Sequence, residues 1–422
     1  MKTFVGFGFG PIQGALFLYE AFRSGNFSRF VISEVDPKIV GAVRSAAGRC
    51  TINIALPDRI EQATIPGVEL YNPAVPEDRG QILQAISESD ELATALPSVA
   101  FFDTGGQASV ARTLADGLSL RTTIEPRVVY AAENHNHAAE LLREAVARHG
   151  PAPTLENVQF LNTVIGKMSG VITDAGTLLK LKLATLTPTL PKAVLVEDFN
   201  RILISQITLP GFRRGIEVFV EKPDLLPFEE AKLYGHNAVH ALIGYLAAHR
   251  GLETVSAAAA HSDIMAIARA AFLNESGAAL IRKHQHLGDP LFTPAGFAAY
   301  ADDLLARMVR PTLNDLVARV TRDQVRKLGY DDRLFGAMRV ALEQGIRPVN
   351  LAKGAAAGVD SLLNHWDSLG KAVAALPRPK SPLTQESLDH LLRAIWSAEC
   401  APQAADLIEL TWEAVPTLGK QS

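Results

Sequence analysis

Cysteine is nearly absent from this chain, with Cys50 and Cys400 the only two among 422 residues. Two thiols cannot build a disulfide framework or a cysteine-rich zinc centre, so both are expected to be free, in a reducing compartment. An excess of charge of one sign is missing too. The formal charge of −4 comes from 41 basic and 45 acidic residues without long runs, which leaves no electrostatic footprint for nucleic acid or an anionic membrane. No uncharged apolar run reaches the ~18 residues of a membrane span; the nearest lies between Ala238 and Ala248. The apolar stretch up to Leu18 is broken by Gly6, Gly8, Gly10 and Gly14 and has no small-residue cleavage site, which argues against a secretory leader. Internal repeats, low-complexity tracts and coiled-coil heptads are also lacking. The expectation is a soluble, cytoplasmic protein.

What is present is a globular composition, 48% hydrophobic and 20% charged, on a chain too long for one ordinary core. Two domains are expected. Up to about residue 135, short apolar runs (Thr3 to Phe7, Phe30 to Glu34, Val99 to Asp103, Val128 to Ala132) read as strands and alternate with helical patterns such as Pro11 to Arg23. Continuously apolar strands of this kind belong to parallel sheets covered on both faces, so the pattern is doubly wound α/β. Strand signals continue from Val158 to Ile204, notably Lys192 to Val196, as a closing extension of the sheet. Beyond Phe228 the reading is helical: Glu229 to His249, Ile264 to His284, Pro294 to Val309, Asn314 to Lys327, Arg333 to Gln344 and Ser387 to Ala398. The expected fold is a Rossmann-type dinucleotide-binding domain over 1–204, followed by a mostly α-helical substrate domain over 205–422.

After the first strand, Gly8 and Gly10 would allow a tight turn and close approach of a pyrophosphate to the helix that Pro11 and Ile12 begin. The third fingerprint position is Gln13, with Gly14 one place late, so a glycine turn with no ligand stays open as an alternative. The second strand ends near Glu34 and Asp36, where a carboxylate would accept hydrogen bonds from the adenosine ribose and repel a 2′-phosphate. Alternatively these are solvated acids at a strand end. Taken together the two features favour NAD over NADP, and Thr104 completes the expected cofactor set.

The sharpest pattern is Lys232-x4-Asn237-x2-His240. On an α-helix Asn237 and His240 fall roughly 140° and 80° round from Lys232, so one wide face presents all three. A solvated lysine beside an incidental asparagine and histidine is the plainer account of the spacing alone. The pattern resembles the signature of the polyol-specific long-chain dehydrogenases, the mannitol dehydrogenase family. So do Ala131-Ala132-Glu133-Asn134 and Val196-Glu197-Asp198-Phe199, and Glu275-Ser276-Gly277-Ala278 together with Arg326-Lys327-Leu328 and Asp332-Arg333-Leu334 resemble its polyol-phosphate branch.

The resemblance implies an NAD-dependent oxidoreductase acting on a polyol or polyol phosphate, without metal, as a monomer or homodimer. It makes Lys232 the general base, Asn134 and Asn237 the amides that hold the developing alkoxide, and His240 the residue that orients substrate. Arg319 and Lys327 match two further substrate-contacting positions, and Glu229 matches an acid that relays the base's proton. Arg322, Arg326 and Arg333 lie nearby and read equally well as a solvated basic face. Two departures are visible. Ile165-Gly166-Lys167-Met168-Ser169 stands where the family has an aspartate that contacts a distal hydroxyl, and Ile202 stands where it has a tryptophan. Two other classes remain open: a metal hydrolase built on His236 and His240 or His135 and His137, and a non-catalytic NAD-binding module.

Overall fold

The computed structural model describes residues 2–122, 125–150, 155–199, 201–396 and 403–419. Cys400 lies outside them, as do the last two residues of the helix expected to end at Ala398. The chain divides into two compact units, Met1–Leu226 and Pro227–Ser422.

The first unit is built on an eight-stranded sheet. Its strands are β1 (Lys2–Phe7), β2 (Phe27–Ser33), β5 (Val68–Tyr71), β6 (Glu91–Thr94), β7 (Arg127–Ala131), β8 (Val158–Val164), β11 (Ile202–Ser205) and β12 (Phe219–Lys222). Their order is β12-β11-β8-β7-β6-β1-β2-β5. The run from β5 to β8 is parallel throughout, with the strand order of a dinucleotide-binding sheet that reverses at β1. Alternate residues explain its burial on both faces. Phe4, Phe30, Ile32, Val128 and Tyr130 enter one core, and Val5, Val31, Val129 and Ala131 enter the other.

Three sequence expectations change here. Val99 to Asp103 is not a strand: Val99–Phe101 is a 3-10 turn capped by Ser98, and β6 is instead Glu91–Thr94. Glu91 disguised that strand. It is wholly buried because Lys2 and the Tyr130 hydroxyl both donate to its carboxylate. The run from Lys192 to Val196 does not extend the main sheet. As β10 (Ala193–Glu197) it joins a second sheet, β4-β3-β10-β9, with β3 (Cys50–Ala55), β4 (Ile60–Ile65) and β9 (Ser169–Ile172). Finally, β11 pairs antiparallel with β8 and β12 parallel with β11, so the sheet runs past residue 204 and the first unit reaches Leu226.

The second unit is helical. Its long helices are Ala238–His249, Pro294–Met308, Arg333–Glu343, Val349–Asn364, Gln385–Trp396 and Ala404–Ala414. Ser262–Leu287 runs as one helical stretch whose length and composition would suit a membrane span, and half of its most apolar window is buried within the unit. The helix expected from Asn314 to Lys327 is broken into Val317–Thr321 and Gln324–Lys327, because Arg322 is extended and Asp323 is left-handed at φ 61°. Val349–Asn364, missed in the sequence, is the central helix. Gly354 and Gly358 leave room for Leu242 and Tyr245 of Ala238–His249, a close approach that a side chain at either glycine would block.

Candidate active site

In the first unit, β1 ends in a turn at Gly8 with φ +80°, where a Cβ would meet the Ala95 carbonyl oxygen at 3.1 Å. The Gly8 N–H donates to the Ser33 carbonyl, and the Gly14 N–H donates to Gly10 as the following helix begins. The turn therefore sits at the carboxyl edge of the sheet where the strand order reverses, the position at which open α/β sheets bind ligands. Glu34 is buried. Its Oε2 accepts from the Phe9 N–H at 2.7 Å and its Oε1 from the Asp36 N–H at 2.8 Å, tying the glycine turn to the end of β2. Asp36 is exposed and accepts from the Lys38 N–H, capping the helix Pro37–Ser45. Thr104 lies exposed just before Gly105 and Gly106, both with positive φ.

Gln13, at the third fingerprint position, is fully buried against Gly6 of β1, where a side chain would run into its amide. The usual glycine of the helix has in effect been exchanged for a glycine in the strand. Along the same carboxyl edge, the buried Glu133 accepts from the Thr94 hydroxyl at 2.9 Å and the Leu96 N–H at 2.8 Å. Burial pushes its carboxyl up despite these bonds. Asn134 follows it, exposed. The departure segment is built in firmly: Lys167 is buried and donates to the Phe199 carbonyl at 2.9 Å, and Ile202 is fully buried in β11.

In the second unit, Lys232 does not lie on a regular α-helix. Ala231–Asn237 is a π turn, in which the Ala238 N–H reaches back to Leu233, and Gly235 lets the Phe272 ring press on it, 2.9 Å from where a Cβ would stand. A turn closing at i→i+5 brings Asn237, five residues after Lys232, towards the same side, so the wide separation expected of a straight helix does not apply. Lys232, Asn237 and His240 are all partly buried. Removal from water pushes the Lys232 ammonium down to about 8, Glu229 opposes this, and Arg333 adds to it. The Asn237 side-chain amide has no hydrogen-bond partner among the described residues.

His240 is oriented by a residue that the sequence reading did not single out. Its Nε2 lies 2.9 Å from Asp315 Oδ2, and Arg319 donates to Asp315 Oδ1 at 2.7 Å. Burial alone would raise the Asp315 carboxyl, but the bonds and charges of His240 and Arg319 hold it down to about 2. An ionised carboxylate only accepts, so the imidazole donates to it from Nε2, which fixes the plane and direction of the ring. The only sequence signal for Asp315 was its position four residues before Arg319.

Arg319 is thus engaged with Asp315, and Lys327 is buried, donating to the Val320 carbonyl at 2.6 Å. Burial, with Arg333 and Arg326 next in weight, lowers Lys327 to about 8. The His236 and His240 rings lie 6.2 Å apart, and among the described residues no group of three or more His, Cys, Asp or Glu is placed to hold a metal ion. His236 is buried, and desolvation keeps it well below its usual range.

A dinucleotide-type sheet, and a helical unit that carries a lysine of lowered pKa and Asn237 on one π turn with His240 held by Asp315, are what an oxidoreductase of the dehydrogenase class needs. Residues 224–393 match the Mannitol dehydrogenase C-terminal domain. The chain is 28% identical over 333 residues to mannitol-1-phosphate 5-dehydrogenase of Bacillus licheniformis, covering 77% of this chain and 79% of that enzyme. In fold it matches D-sorbitol dehydrogenase in its substrate-free form, with a TM-score of 0.76 at 15% identity over 99% of this chain and 93% of that one. It also matches Pseudomonas fluorescens mannitol 2-dehydrogenase in a ternary complex with NAD and D-mannitol, with a TM-score of 0.68 at 15% identity over 99% and 92%. Over residues 224–393 the chain thus carries the Mannitol dehydrogenase C-terminal domain, and over most of its length it is similar to mannitol-1-phosphate 5-dehydrogenases.

Proposed function

We propose that this protein is an NAD-dependent dehydrogenase of a polyol phosphate, interconverting a secondary alcohol and a ketose phosphate of the mannitol 1-phosphate type, and that it acts in the cytoplasm. The observation that carries the reading is the partly buried Lys232, held to about 8 on the same π turn as Asn237, whose amide has no partner among the described residues, with His240 fixed by Asp315 and Arg319 one turn further on. The first unit fits a dinucleotide. Gly8 turns tightly at the reversal point of the sheet, a Cβ on Gly10 would meet nothing within 4 Å, and Glu34 borders the turn. NAD would be held there by Gly8, Gly10, Pro11, Ile12, Thr104 and Glu34, and would supply the acceptor for the hydride leaving the alcohol carbon.

The remaining chemistry belongs to the side chains. Neutral Lys232 Nζ takes the hydroxyl proton as the C–H bond breaks and the carbonyl forms. The Asn237 amide donates to the oxygen as negative charge develops on it, and Asn134 supplies the second amide that the family resemblance assigns. His240, held through Nε2 by Asp315, orients a neighbouring hydroxyl of the substrate through its other ring nitrogen. Glu34, and the exposed Asp36 that caps the next helix through one oxygen, disfavour a 2′-phosphate by like charge. Relatives named mannitol-1-phosphate 5-dehydrogenase support the phosphorylated substrate. A panel of polyols and polyol phosphates assayed with NAD, following NADH absorbance, tests it. Greater efficiency on phosphorylated members is expected, and a free polyol outperforming all of them would overturn the assignment.

A further inference from the structure

The two basic residues that the sequence proposed as anchors in the second unit each already have a protein partner. Arg319 gives Nε and Nη2 to Asp315, and Lys327 gives its ammonium to a backbone carbonyl. Arg333 is different. It opens the helix Arg333–Glu343, which packs on the Lys232 turn where Gly336 admits the Tyr234 ring. Its side chain is 14% exposed, and Asp332, the cap of that helix, holds Nε at 2.7 Å. The terminal nitrogens Nη1 and Nη2 have no partner among the described residues. A guanidinium fixed through Nε presents its remaining edge as a planar fork, the geometry that matches two phosphate oxygens.

Charge around this fork is unbalanced. Lys232, His236, Tyr245 and Lys327 all lie within the reach of Arg333's charge, and Lys327 also faces Arg326 and Arg322. The acids whose charge reaches these groups are Asp323 and Asp332, with Glu229 facing Lys232, and Asp332 is already shared between Arg326 and Arg333. Crowded cations of this kind oppose one another until an anion enters. We propose that Arg333 is the specificity-determining residue of the site, binding the dianionic phosphate of the substrate through its Nη1–Nη2 edge. This rests on the polyol-phosphate reading above.

The test measures kcat and KM of the full-length enzyme with NAD on mannitol 1-phosphate and on mannitol, together with inhibition by inorganic phosphate. Arg333→Gln is expected to lower kcat/KM for the phosphorylated substrate by about 10- to 100-fold, mainly through KM, as loss of a charge-assisted pair does. The loss on mannitol should be at least about tenfold smaller, and phosphate inhibition should weaken in parallel. Arg333→Lys, which keeps the charge without the fork, should recover part of the loss. It also serves as the second variant if the glutamine form does not fold. Arg326→Gln, on the exposed side of the cluster, should keep the wild-type preference. Equal losses on both substrates in either Arg333 variant, with the wild type preferring the phosphate, would overturn the role of Arg333 alone. A wild-type preference for mannitol would overturn the phosphorylated substrate, whatever the variants do.

Discussion

At the residue scale the proposed mechanism depends on Lys232 being neutral and His240 being held still. Desolvation costs the charged ammonium, and the Arg333 charge adds to that cost, so the base titrates at about 8 rather than in the usual lysine range. The sign follows directly. Below pH 8 the lysine is protonated and cannot accept the hydroxyl proton, so kcat/KM for alcohol oxidation should climb with pH and level off above 8. Ketone reduction needs the protonated form and should fall over the same interval. Lys232→Ala should cut oxidation by about 10² to 10⁴ and abolish this limb, with partial recovery by an added primary amine. Survival of near-normal oxidation with an unchanged pH profile would refute the mechanism. Asp315→Asn replaces an obligate acceptor with a side chain that can present either end, loosening the hold on the His240 ring. A fall of about 10- to 100-fold in kcat/KM is expected, with the Lys232 limb still visible.

At the scale of elements, two local devices carry weight. Gln13 and Gly6 form a complementary pair across the first strand and helix, so Gly6→Ala should destabilise the protein by about 1–3 kcal/mol through overpacking. Adding Gln13→Ala removes one of the two side chains in the way, the other being Ile32, and should recover part of that loss, which a double-mutant cycle on denaturant midpoints would measure. Strictly additive effects would mean the two residues are not coupled. Glu275, in the π turn Ala271–Gly277, is the second device. Its carboxylate accepts from the Asn350 N–H and Leu351 N–H, both at 2.8 Å, and from the Asn350 amide at 2.7 Å. It thereby caps the central helix Val349–Asn364 from a neighbouring element. Glu275→Ala is expected to cost about 1.5–3 kcal/mol, seen as a lower melting temperature, while the pH limb of the residual activity stays in place.

At the scale of the whole molecule, the first unit should report cofactor choice without any turnover. Saturating NAD is expected to raise the melting temperature, by the equivalent of about 2.7 kcal/mol at a hundredfold excess over Kd, and NADP at equal concentration much less. Glu34→Ser should narrow that difference, and equal shifts with both cofactors in the wild type would remove Glu34 from cofactor selection. Much of the architecture was legible in the chain because its signals are local. Parallel strands buried on both faces read as continuous apolar runs, the glycine turn follows the first of them, and Lys232, Asn237 and His240 share one short segment. What stayed hidden depended on partners distant in sequence. Glu91 became a strand residue only because Lys2 and Tyr130 satisfy its charge inside the sheet. Val349–Asn364 became the central helix because its glycines meet Leu242 and Tyr245. Asp315 acquired its role when the chain brought it to His240, 75 residues away. Composition and periodicity thus determined the class of fold and the chemical groups available to it. The tertiary structure decided which carboxylate fixes the histidine, which arginine keeps a free edge, and how far the lysine's pKa falls, since burial and long-range charge exist only once the chain is packed.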